Sequence, residues 1–345
     1  MSYKSATSTL DTLKMLNIIG TPFSETEFSV NIVDDALLRY AVYNRMHLFF
    51  LESLNKRHID MFSGEFKHLI ERCGKVNETI VKVAETLEKN DIEYSFFKTI
   101  RPYREVTVDI DTIIFQNRKK ATRILCDVGF KLLENGPLST TLWDEESEIN
   151  IDLYEEIGVS HLIYVDKEKV LPFVVEKTIG DGYLVKSLDA IADALAIISH
   201  SIIKEQMYVL SEYFTTIHYL HQMNNREVER LIETAEQWKL KKAVSTHLSI
   251  TSAIHMKAHS FVPKPLKKLL GAVGYNRREV EAVKKRNYQM PYKYHPLTVI
   301  ESFIEKLSEP ATKRSLATQF FKLSNPKYAS SFVKGTLQHL NREGY

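Results

Sequence analysis

Two carboxylates, Asp109 and Asp111, stand one residue apart in the run Val106-Thr107-Val108-Asp109-Ile110-Asp111-Thr112-Ile113-Ile114-Phe115. Their neighbours are apolar and β-branched, so the run predicts a strand. Side chains alternate along a strand, which puts Thr107, Asp109 and Asp111 on one face and Val106, Val108 and Ile110 on the other, the core side. Two anions side by side on a rigid strand repel unless a cation lies between them. A divalent metal meets that need, and metals held by paired carboxylates act on phosphates. A third carboxylate, Asp152, lies in the alternating run 148–154. There Ile149, Ile151 and Leu153 face one way, and Glu148, Asn150, Asp152 and Tyr154 the other. Pairing of the two strands would bring all three aspartates to one side of a small sheet. An isolated Asp-x-Asp pair also fits a solvated strand face, and Asp152 alone fits an edge-strand charge that discourages aggregation.

Cations precede the pair. Lys98, Arg101 and Arg104 can bind phosphates, or they can pair with Asp109 or Glu105; Thr99 can hold a phosphate or cap the following turn. His255 and His259 have the i, i+4 spacing of a helical metal site, but no carboxylate or Cys accompanies them at motif spacing, so they read as exposed or interface residues. His218 and His221 read the same way. His200, inside an apolar helical stretch, reads as a satisfied core histidine or else as a site residue.

The elements that must position these residues follow from periodicity. Residues 1–90 predict an N-terminal helical region, with one helix over 34–54, a second opening at Ser63 and a third over 76–87. A core over 91–180 follows: strands at 92–97 and 106–115, a helix over 118–128 stopped by Gly129, a short strand at 130–133, a turn at Asn135-Gly136-Pro137 and the strand 148–154. A helical domain over 186–260 opens at Ser187-Leu188-Asp189-Ala190 with Ser as its cap, and continues with helices over 211–222, 226–237 and 240–258. Pro263 and Pro265 mark a boundary before a basic helical region over 261–345, which breaks near Pro310 and Asn325-Pro326.

The chain has 345 residues and a formal net charge of only +2, with globular apolar and charged fractions. The charge is uneven: residues 261–345 hold 16 Lys and Arg against 6 Asp and Glu. A basic section on an acidic body points to an anionic partner, nucleic acid first. Tyr275, Tyr292 and Tyr294 interleave with its basic residues and suit stacking on unpaired bases, or serve as buried anchors. Residues 315–340 can form a helix-turn-helix around Ser324-Asn325-Pro326, with Lys313, Arg314, Lys322, Lys327 and Lys334 on phosphates. Two cysteines, Cys73 and Cys126, make no disulfide framework and indicate a reducing, cytoplasmic setting. The start of the chain is polar, and the most apolar helical stretch, 188–210, carries Asp189, Asp193, His200, Lys204 and Glu205, which excludes an ordinary membrane span.

With Phe96-Phe97-Lys98-Thr99, then Val108-Asp109-Ile110-Asp111, then Ile151-Asp152-Leu153, the region 92–153 resembles the nucleotidyltransferase superfamily of DNA polymerase beta type. More narrowly it resembles the uncharacterised microbial nucleotidyltransferases, whose pattern is a strand and glycine turn, an apolar-Asp-apolar-Asp strand, and an isolated apolar-Asp-apolar strand. Cys126-Asp127-Val128-Gly129-Phe130 fits the same pattern. The resemblance implies an α+β fold: a small mixed sheet with helices on one face, flanked by the N-terminal helices and the larger C-terminal helical regions. It implies a Mg²⁺- or Mn²⁺-dependent enzyme that moves a nucleoside monophosphate from an NTP to a hydroxyl on RNA (a tRNA end, for example), a small molecule or a protein side chain. Asp109, Asp111 and Asp152 would be the catalytic metal ligands, with Lys98, Thr99, Arg101 and Arg104 at the nucleotide. Two residues depart from the pattern: the turn reads Lys98-Thr99-Ile100 without its glycine, which would let the backbone approach a triphosphate, and Tyr154 stands where His is frequent. The missing glycine favours a second reading, a catalytically inactive binding or scaffold protein of the same fold, and a third stays open in which the central sheet is only structural and the chain is a helical nucleic-acid-binding regulator that binds through residues 261–345.

Overall fold

The computed structural model describes residues 9–24, 33–326, 328–330 and 334. Four helices come first: α1 (Thr9–Ile19), α2 (Asp35–Tyr43), α3 (His47–Asn55) and α4 (Ser63–Lys89). The single helix expected over 34–54 is two, because Asn44 ends α2 and Arg45 adopts a left-handed φ of 56°. Buried Asn44 is tied to distant chain instead: its amide nitrogen donates to Met290 O at 3.4 Å, and its oxygen accepts from Leu210 N at 3.3 Å. Periodicity cannot register partners so remote in sequence. The opposite correction applies to α4, where the two helices expected from Ser63 and Val76 run together as 27 residues. Leu69, Cys73, Val76, Ile80, Val83 and Leu87 form one buried stripe along it.

The sheet follows. Its strands are β1 (Tyr94–Phe96), β2 (Asp109–Ile114), β3 (Lys131–Asn135), β4 (Ser139–Asp144) and β5 (Ile149–Tyr154), with α5 (Arg118–Asp127) crossing between β2 and β3. A two-stranded ribbon, β6 (Ile157–Val159) and β7 (Leu162–Val165), leads through the short α6 (Lys167–Val170) to β8 (Val174–Ile179) and β9 (Tyr183–Leu188). The seven-stranded sheet has the order β3-β4-β5-β2-β1-β9-β8. It is mixed, since β2 is parallel to β5 and β1 to β9 while the other pairs are antiparallel. Helices α4 and α5 cover its apolar face, where Phe96, Ile110, Ile114, Ile149, Ile151 and Leu153 meet Val76, Ile80, Val83, Ala121 and Leu125. Strand β2 is shorter than the run 106–115: Val108 is 54% exposed, outside the ladder, and only Ile110 of the expected valine–valine–isoleucine face is fully buried.

The remaining chain is helical, and the protein is an α+β fold with helical flanks. Helix α7 (Ala190–Ser199) continues as one π-helical stretch over His200–Glu205 into β10 (Met207–Tyr208). Helices α8 (Leu210–Gln222), α9 (Asn225–Gln237), α10 (Lys241–His259), α11 (Lys264–Val273) and α12 (Arg277–Lys285) follow, then β11 (Tyr292–Lys293), α13 (Pro296–Lys306) and α14 (Pro310–Leu323). The cap of α7 is Asp189, whose carboxylate accepts from Ile191 N and Ala192 N, and not Ser187, which lies in β9. On the second face of the sheet, Phe97, Ile113 and Tyr154 join the core of these helices. No helix of the described residues is long and apolar enough to cross a membrane.

Candidate functional site

The parallel pairing of β2 and β5 sets Asp111 beside Asp152, with Asp109 two residues back on the same face. One oxygen of each of the three carboxylates lies within 4.8 Å of the others. Among the described residues this is the only convergence of three or more acid, histidine or cysteine side chains. Asp111 is 3% exposed, and its Oδ1 is buried with no hydrogen-bond partner. Thr141 of β4 orients Asp152 by donating to its Oδ1 at 2.6 Å.

The turn after β1 replaces glycine by a different device. Lys98 itself takes the left-handed conformation, φ 59°, that a glycine would adopt freely. Its backbone N–H donates to the buried carboxylate of Asp193 at 2.6 Å, and Tyr219 Oη donates to the other oxygen of Asp193, also at 2.6 Å. The Thr99 hydroxyl accepts from Asp111 N at 2.9 Å and donates to Phe97 O at 3.2 Å, which locks the turn to β2. Thr99 therefore holds backbone, as a cap would. The Lys98 ammonium is 2.9 Å from Asp111 Oδ2 and 3.3 Å from His200 Nδ1.

His200 also receives Tyr164 Oη at 3.0 Å on Nδ1, and its Nε2 faces Glu205 Oε1 at 3.2 Å. Burial, then Lys98 and Lys204, lower its pKa to about 3. It is thus neutral at neutral pH, with Nδ1 as acceptor and Nε2–H as donor, and adds no charge to the site. Burial and the adjacent Asp111 raise Asp109 to about 6, against the pull of Lys98 and Arg45. Burial and Asp111 raise Asp152 too, with the Thr141 hydrogen bond opposing. Burial would likewise raise Asp111, but Lys98 at contact distance holds it below its ordinary value.

Asp109 and Asp111 open on a cavity of about 60 Å³ whose wall also includes Lys98, Arg101, His200 and Lys204, whereas Asp152 stands beside Asp111 on β5 and is not part of that wall. Arg101 reaches the wall but is held by Glu105 at 3.7 Å and Thr215 Oγ1 at 3.3 Å. Arg104 is not part of that wall; it is 54% exposed and lies 3.8 Å from Glu52. Of the predicted nucleotide residues, Lys98 and Arg101 meet the triad's cavity, Thr99 braces it and Arg104 stands apart. Periodicity missed Asp193 and Lys204 as site residues. The available signal was their spacing: Asp193, His200 and Lys204, seven and four residues apart, fall on one side of an otherwise apolar helical stretch.

The other candidates resolve against chemistry at this site. His255 Nδ1 bonds Phe261 O at 3.0 Å and its ring packs on His259, while His218 packs on Phe49 and Tyr103. Tyr292 and Tyr294 are buried anchors, bonded to Glu279 and Ser201, so they cannot stack on bases; Tyr275 remains 49% exposed. Of the expected helix-turn-helix, Lys313, Arg314 and Lys322 lie on α14, whereas Lys327 and most of the second helix fall outside the described residues.

No protein-family model matches the chain, and no curated protein matches it. Among solved structures, an antigenic nucleotidyltransferase-like protein from Paracoccidioides brasiliensis is similar over 59% of this chain and 96% of its own, at 14% identity and a TM-score of 0.32. A likeness of that size carries no argument about activity.

Proposed function

We propose that the protein is a metal-dependent nucleotidyltransferase. The observation that carries this reading is the convergence of Asp109, Asp111 and Asp152 on one sheet face, with the buried Asp111 Oδ1 lacking a partner. Three hard oxygen donors with one orphaned atom fit Mg²⁺ or Mn²⁺. Asp109 and Asp111 would hold both ions of a pair, and Asp152 the one nearer the acceptor. When bound, the ions supply Lewis-acid polarisation and neutralise a triphosphate. Asp152, oriented by Thr141, takes the proton of the acceptor hydroxyl. The hydroxyl oxygen bonds the α-phosphorus of an NTP as the bond to the pyrophosphate oxygen breaks. Lys98 carries positive charge toward the leaving phosphates. The basic balance of residues 261–345 favours RNA as acceptor.

A second reading has its own support: an inactive binding protein of this fold. Lys98 already neutralises Asp111, and Asp193 already accepts the turn N–H that a phosphate would need. The cavity of about 60 Å³ is also far below the roughly 300 Å³ at which ligand pockets begin, so a nucleotide requires the site to open. Incubation with each labelled NTP, Mg²⁺ or Mn²⁺ and total RNA separates the two. An enzyme labels RNA or protein, and Asp109→Asn reduces the label at least about 100-fold, more than loss of an outer-shell group would. Equal, background labelling by wild type and variant supports the binding protein.

A further inference from the structure

Helix α10, the α11–α12 turn and α13 border an open cavity of about 350 Å³ that shares no lining residue with the carboxylate cavity. Lys242, Arg277 and Arg278 line it against one carboxylate, Glu301. Glu301 is spent on Arg278, 3.1 Å from both of its terminal nitrogens. Among the described residues no ion pair engages Lys242 or Arg277. The Lys242 and Arg277 side chains thus carry no ion pair, although Glu305 accepts from Lys242 N at 2.8 Å and brings a second carboxylate to the cavity's edge. The cavity also adjoins the first turn of α12, an end that favours an anion, although Asn276 Oδ1 already accepts from Glu279 N there at 3.2 Å.

Its hydroxyls divide into two sets. Ser245 Oγ donates to Gly274 O at 2.9 Å, and Thr246 Oγ1 accepts from Asn276 Nδ2 at 2.8 Å, so both are used within the protein. Thr298 and Ser302, one turn apart on α13, line the same cavity at 1% and 2% exposure, and neither hydroxyl has a partner. A buried hydroxyl left unpaired carries an unrecovered desolvation cost. A polar ligand in the cavity would remove that cost. Tyr275, half exposed, offers its ring.

We propose that this cavity binds a phosphorylated ligand of mononucleotide size. The phosphate sits between Lys242, Arg277 and the start of α12, the base lies on Tyr275, and the sugar lies over the α13 wall at Thr298 and Ser302. The volume suits one nucleotide, near the lower end of the roughly 300–1,000 Å³ typical of ligand pockets. This site stands whether or not the carboxylate centre is catalytic.

The test is calorimetric titration of the full chain in EDTA with AMP, CMP, GMP, UMP and inorganic phosphate. At least one nucleoside monophosphate is expected to bind once per chain. The double variant Lys242→Ala/Arg277→Ala, at two exposed positions, should weaken that binding about tenfold or more, the loss expected for a charged hydrogen bond. Tyr275→Ala should weaken it as well, while Asp109→Asn/Asp111→Asn should bind like wild type. Four results would each overturn the proposal: no saturable binding, binding indifferent to the double variant, binding lost in the aspartate variant, or phosphate alone binding as tightly as the nucleotides. Thermal melts of each variant verify that it is folded.

Discussion

The two polar cavities of this protein are built in opposite ways. The carboxylate cavity is small and lies against a cluster of three aspartates, two of them in its wall, but the chain supplies its own counter-ion, Lys98, at 2.9 Å from Asp111. The α10–α13 cavity is roomier and basic, and the chain leaves Lys242 and Arg277 without ion-pair partners among the described residues. A buried site that holds its own counter-charge is stable when empty, and a ligand must displace that charge. An open site with unbalanced charge and orphaned hydroxyls has affinity in reserve. The first arrangement suits a centre that admits metal and triphosphate together; the second suits a standing ligand pocket.

Substitutions break or sharpen this contrast. Lys98→Met has the largest expected effect, because it leaves Asp111 charged and buried with its nearest cation gone. Without metal the variant should lose about 3–5 kcal/mol of stability, and Mg²⁺ or Mn²⁺ should restore more stability to it than to wild type. Chemical denaturation with and without metal measures both; equal metal effects on the two proteins would mean that Lys98 and the ion do not compete for one place.

Glu212 tests how negative the acidic cavity is. Burial, opposed by the Ser201 hydrogen bond and by Arg101 and Arg45, raises its carboxyl from 4.5 to about 8. The folded chain then binds this proton more tightly than the unfolded chain does. The associated stability is complete below about pH 4.5 and lost as pH rises through 8, an effect of up to about 5 kcal/mol. Glu212→Gln should remove that decline, so its advantage over wild type grows between pH 5 and 9. Parallel stability curves would show that Glu212 is ionised in the folded protein at neutral pH.

Asp193→Ala removes the acceptor of both the Lys98 N–H and the Tyr219 hydroxyl, at a cost of about 2 kcal/mol. Because the turn N–H is then released, phosphate-dependent stabilisation should increase, which a melt in phosphate detects. In the basic cavity the smallest effect is expected. Thr298→Val exchanges an unpaired buried hydroxyl for a methyl and should be neutral or stabilising by up to about 1 kcal/mol in the empty protein. A loss larger than that would reveal a partner for the hydroxyl.

The carboxylate centre was legible in the sequence to the extent that it depends on strand alternation. Side-chain period, a local rule, puts Asp109 and Asp111 on one face of their strand and Asp152 on the polar face of its own, and the parallel register of β2 with β5, which no local rule fixes, brings them together. The surroundings were not legible, since they depend on contacts across the chain. Asp193 meets Lys98 from 95 residues away, and the break at Asn44 is held by Met290 and Leu210. The missing glycine was visible, but its replacement was not, because a lysine with φ 59° leaves no trace in residue type. The basic balance of the last 85 residues was visible as a sum. That Lys242, outside this section, would join Arg277 and Arg278 around one cavity was not.

The central claim, that the three aspartates form one divalent-metal centre, is tested most directly by Mn²⁺ binding followed by electron paramagnetic resonance. Wild type should bind Mn²⁺ saturably, and Asp111→Asn and Asp152→Asn, on different strands, should each weaken binding at least about tenfold. Lys98→Met should bind more tightly than wild type. Saturable binding that neither aspartate variant changes, or no binding by wild type and Lys98→Met alike, would contradict it.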